Sequence, residues 1–157
     1  MSGSAADLIR VALARAAAEP PRPGAGVVAL GWATVDLGRA AAERARDLGR
    51  PEGVFRAAEA SLVLGARCLV ADAVLAGGRS LVLLEPATEG RLASLLARLD
   101  EGPWVAWFAT GSDEDHGDPP AGARGTGPFG PERLVAGGPA HGPFRLLVGP
   151  PAGTIRA

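Results

Sequence analysis

At 157 residues, 47% of them hydrophobic, the chain fits one domain or two small half-domains sharing a core. Its single cysteine excludes an internal disulfide and a multi-cysteine zinc site. The formal net charge is −1, and the sixteen basic residues, all arginine, are scattered singly, so no positive field suited to a nucleic-acid backbone is expected.

Ser4 can cap a helix running to about Glu19, with Leu8, Val11, Ala12 and Leu13 on its apolar side, and Pro20, Pro21 and Pro23 stop it. Asp7 and Arg10 interrupt this stretch, so it does not read as a signal peptide. No apolar run reaches membrane-spanning length, and a cytoplasmic location with no membrane partner is the expectation. The mostly apolar or β-branched run from Val27 to Val35 predicts a buried strand, and Asp36 can cap an Arg/Ala-rich helix ending near Leu48. Gly49 and Pro51 terminate that helix. Leu62 to Leu75 predicts one strand or two short ones, ended by the Gly77-Gly78 turn, and Arg79 to Glu85 predicts the next.

After Thr88, Leu92, Leu95, Leu96 and Leu99 recur at helical spacing, and Trp104 to Thr110 predicts a strand. Residues 111–143, rich in Gly, Pro and Asp, read as a long loop or ordered lid, and Phe144 to Val148 as the last strand. Three segments follow: 1–24, a helix and Pro-rich linker; 25–110, the regular part; and 111–157, a loop-rich C-terminal half.

The stretch Ser80-Leu81-Val82-Leu83-Leu84-Glu85-Pro86, a helix-like run, and then Glu101-Gly102-Pro103-Trp104-Val105-Ala106-Trp107-Phe108 resembles part of the vicinal-oxygen-chelate, or glyoxalase-like, superfamily. The closest echo is the methylmalonyl-CoA epimerase family, in which an apolar strand ends in Leu-Leu-x-Pro, a helix follows, and a Gly-Leu-His-His-like turn opens the next strand. The resemblance implies an α+β fold: a βαβββ module over residues 25–110 together with the start of a second, an extra N-terminal helix, and a shortened, irregular second half. It also implies that Ala29, Val82 and Val105 stand where that family carries a His, a Glu or Gln, and a second His as metal ligands. The final ligand would fall near Thr154 to Ala157. None of the three aliphatic residues can coordinate an ion, so no metal and no cofactor are expected.

Apolar residues in place of ligands suggest a concavity lined by Ala29, Val82, Val105 and Trp107, with Trp104 at its rim, binding a small, partly apolar molecule. The same residues also read as plain core. A lyase or isomerase with a relocated acid or base is the alternative, its candidates being Glu85 at a strand end and His141 before the last strand. His116, in the acidic run Asp113 to Asp118, could help catch a cation, although it reads more simply as part of a solvated loop. A third possibility is a noncatalytic assembly component, a homodimer included, pairing through an exposed apolar helix face. Cys68 reads as a small buried hydrophobe.

Overall fold

The Ser4 hydroxyl accepts a hydrogen bond from the Asp7 N–H at 3.1 Å and so starts helix α1 (Ala5–Ala18) where the sequence predicts it. The computed structural model describes residues 4–110, 123–138 and 142–149. Strand β1 (Ala25–Ala33) follows, and α2 (Leu37–Leu48) opens on Asp36, whose carboxylate accepts from the Arg39 N–H at 3.1 Å. Gly49, at φ +67°, closes α2 in a left-handed conformation that costs glycine little. Glu101 anchors the entry to α2 from across the fold: one oxygen accepts from the Val35 N–H at 3.0 Å and from the Arg39 guanidinium at 2.6 Å.

The remaining elements are β2 (Arg56–Ser61), β3 (Ala66–Leu75), β4 (Arg79–Pro86), α3 (Arg91–Leu99), β5 (Gly102–Thr110), β6 (Arg124–Gly127), β7 (Gly130–Gly138) and β8 (Gly142–Val148). All eight strands form one sheet in the order β2-β3-β4-β1-β5-β8-β7-β6. The pairs β1–β4 and β5–β8 are parallel and the others antiparallel. The second four strands therefore repeat the connectivity of the first four, and the halves meet at the antiparallel β1–β5 pair. The Leu62 N–H donates to the Thr126 carbonyl at 3.0 Å, which brings the far edges of the sheet together and curls it nearly into a barrel.

Sheet alternation sorts side chains to two cores. On the outer face Ile9, Leu13 and Ala16 of α1 and Ala40 and Ala41 of α2 pack on Val27, Leu30, Trp32, Leu81, Leu83 and Phe108. On the inner face Leu92 and Leu95 of α3 join Val63, Leu64, Val70, Leu84 and Leu146. Two hydrogen bonds to backbone carbonyls hold α3 there, from the Leu92 N–H to Leu64 at 3.0 Å and from the Arg91 guanidinium to Val63 at 3.1 Å.

This is the α+β architecture that the sequence resemblance implies, with an added N-terminal helix. Two local expectations need correction. Residues 124–138, expected to be loop, form the hairpin β6–β7, because ladder pairing sustains strands that glycine and proline content disfavours. The strand expected over Leu62–Leu75 begins only at Ala66 as β3; residues 62–65 are the turn into it, and the unpredicted strand β2 precedes that turn. Among the described residues no helix follows β5, and none of the helices is long and apolar enough to cross a membrane.

Candidate functional site: the inner face and an outer groove

Ala29 on β1, Val82 on β4 and Val105 on β5 all point to the inner face, where each is fully buried in one cluster with Trp107. These four residues, expected to line a ligand concavity, lie in one packed cluster. Gly31 shows how tight the packing is: a Cβ there would lie 2.6 Å from Leu84, 2.8 Å from Trp107 and 2.9 Å from Val105. A divalent ion needs several converging N or O donors, and these aliphatic residues supply none, so they do not fit the metal that the glyoxalase-like fold implies. Among the described residues no group of three or more His, Cys, Asp or Glu side chains converges on a point.

Among the described residues a carboxylate side chain also enters the inner face near this cluster. Glu132 on β7 is 3% exposed; one carboxylate oxygen accepts from the Ser61 hydroxyl at 2.7 Å and the other from the Trp107 indole N–H at 2.9 Å. Ser61 in turn accepts from the Leu64 N–H at 3.2 Å. Phe129, in the β6–β7 turn, sets its ring edge-on to Trp107, with centroids 5.6 Å apart. Burial pushes the Glu132 carboxyl above its usual range, opposed by the hydrogen bonds from Ser61 and Trp107. Such a group can hold a proton inside an apolar interior. The sequence reading missed it because it missed the strand; with β7 in place, Glu132 and Leu134 share the inner face by alternation.

The acid or base candidates named from the sequence do not gather here. Glu85 pairs across the strands with Arg67 at 2.5 Å, a strand-end ion pair. His116, His141 and Thr154 to Ala157 lie outside the described residues. Cys68 is buried on the inner face, and burial pushes its thiol up to about 12.

Trp104 of β5 packs against the inner cluster and also borders an outer groove of about 350 Å³ between α1 and strands β5 and β8. Its indole N–H donates to the Asp100 carbonyl at 2.7 Å, which fixes the ring. Of the residues expected to line a pocket, Trp104 borders this groove, as does Val105, whose side chain belongs to the inner cluster. Helix α1 contributes Leu8, Val11, Arg15 and Glu19 at helical spacing, and Leu8 and Val11 are 43% and 51% exposed. Arg145 of β8 completes the wall and binds Glu19 at 3.3 Å.

No family model and no curated protein matches the sequence. Solved structures match the fold. Methylmalonyl-CoA epimerase from Mycobacterium tuberculosis is 20% identical with a TM-score of 0.61, over 80% of this chain and 87% of that one. A variant Streptomyces coelicolor methylmalonyl-CoA epimerase in complex with 2-nitronate-propionyl-CoA is 22% identical, with a TM-score of 0.58 over 83% and 97%. A hypothetical protein from Bacillus halodurans C-125 is 14% identical, with a TM-score of 0.58 over 84% and 99%. The resemblance to methylmalonyl-CoA epimerase read from the Leu-Leu-x-Pro strand and the strand after it thus holds at the level of the fold, and the scaffold of this chain is glyoxalase-like.

Proposed function

We propose that this protein is a metal-free small-molecule-binding protein on a glyoxalase-like scaffold, and that it takes its ligand on the outer face of the sheet. The observation that carries this reading is the contrast between the two faces. Ala29, Val82, Val105 and Trp107 are spent on a close-packed interior, whereas the groove beside α1 is open and mostly apolar, with exposed Leu8 and Val11 on its wall. A neutral apolar probe tests it. Titration with 1-octanol is expected to shift the Trp104 emission saturably, and Val11→Arg to abolish the shift with the unfolding midpoint unchanged. An equal response in the variant would place binding elsewhere.

A second reading is acid–base catalysis by Glu132, favoured by its buried carboxyl beside Trp107 and Ser61, which burial pushes above its usual range. Solved neighbours in this fold include methylmalonyl-CoA epimerase in complex with methylmalonyl-CoA and NH4+, which names a probe. Under this reading the wild type would speed exchange of the α-proton of methylmalonyl-CoA with deuterium from solvent, and Glu132→Gln would not. Equal exchange with and without protein removes it.

A further inference from the structure

The groove has two chemically different ends. Leu8 and Val11 lie toward the N-terminus of α1, and Arg15 and Glu19 toward its C-terminus, so about 10 Å of helix separates Leu8 from Arg15 at the α-helical rise per residue. Trp104 adds an aromatic wall. At the charged end two arginines, Arg15 and Arg145, face one carboxylate, Glu19, which already engages Arg145. One positive charge is left over. Arg15 lies in the last turn of α1, where the partial negative charge of the helix terminus offsets only part of its charge.

We propose that the groove binds a monoanionic amphiphile, a carboxylate on a short hydrocarbon body, with the carboxylate between Arg15 and Arg145 and the hydrocarbon along Leu8, Val11 and Trp104. This deepens the binding role proposed above and rests on it. A carboxylate would compete with Glu19 for Arg145, exchanging one charge-assisted contact for another and releasing the exposed Glu19 side chain to water. The guanidinium plane suits two-point recognition of a carboxylate, and the apolar body contributes in proportion to the area it covers. A cation of the same shape would meet the arginines and be rejected. At about 350 Å³ the space lies at the lower end of small-molecule sites, which suits a short chain and not a large conjugate.

Octanoate, 1-octanol and octylamine at pH 7.5 form the test, with Trp104 emission and calorimetry as readouts and Trp104→Phe as the spectroscopic control. Octanoate is expected to bind most tightly and octylamine not at all. Arg145→Gln should weaken octanoate roughly tenfold, as loss of a charged hydrogen-bonding partner does, so that its preference over 1-octanol is lost. Val11→Arg should abolish both. If 1-octanol binds in the groove and octanoate binds no tighter, the anionic class is wrong and the binding site stands. If no probe binds, both readings fall. Should sedimentation show a dimer that Val11→Arg separates, the groove is an interface between copies and the ligand proposal is overturned.

Discussion

Burial raises the Glu132 carboxyl above its usual range, against the hydrogen bonds from the two neutral donors Ser61 and Trp107, which lower it. Its folded pKa lies above the usual value of 4.5, and the native state therefore holds the proton more tightly than the unfolded chain. The stability this supplies is full below about pH 4.5 and is lost as pH rises through the raised folded pKa. Glu132→Gln keeps an acceptor for the Trp107 N–H and removes the titration. Its unfolding free energy, measured by urea denaturation from pH 4 to 8, is expected to fall less with pH than that of the wild type; parallel curves would assign the slope to another group. Glu132→Ala leaves the indole N–H and the Ser61 hydroxyl without their partner and opens a cavity, a loss of about 2–4 kcal/mol. Nothing in the local sequence Pro131-Glu132-Arg133 marks Glu132 as buried, because a glutamate among Gly and Pro reads as solvated loop until its strand is known.

At the level of elements, the parts legible in the sequence are those whose information is local. Ser4 and Asp36 mark helix starts by side-chain capping, Gly49 marks a stop, and Leu92 and Leu95 mark a buried face by spacing. The hairpin β6–β7 carries no such signal. Its glycines serve contacts made by other elements: a Cβ on Gly127 would collide with the Glu132 carboxylate, and one on Gly125 would come within 3.2 Å of Leu62. Those requirements come from residues distant in sequence or from a side chain across the hairpin, so composition alone mistook them for loop. The resemblance to the glyoxalase-like scaffold is legible because it rests on β4, α3 and β5, whose apolar pattern is local. Two glycines of β1 separate packing from backbone effects. Gly31→Ala is expected to destabilise by about 1–3 kcal/mol through overpacking against Leu84, Trp107 and Val105. Gly26→Ala, where a Cβ would meet nothing within 4 Å, should be neutral or raise stability by up to about 1 kcal/mol. Chemical denaturation midpoints decide both, and equal losses at the two positions would refute the packing argument.

Across the whole molecule, the two halves share one continuous sheet and one inner core, drawn from β1, β3, β4, β5, β8 and α3. Neither half can lose its strands without exposing the inner residues of the other. A single cooperative unfolding transition is therefore expected, with fluorescence and circular dichroism coinciding; separated midpoints would show that the halves melt independently. Cys68 makes that unity measurable. It is the one thiol in the chain, it is buried on the inner face, and its proton is held up to about 12. An alkylating reagent can reach it only when the sheet uncurls, so the labelling rate counts openings of the interior while the protein is almost entirely native. Each 1.4 kcal/mol of destabilisation should quicken labelling about tenfold if the interior opens only by global unfolding. The single sulfur atom thus serves as a clock for how often this closed sheet breathes.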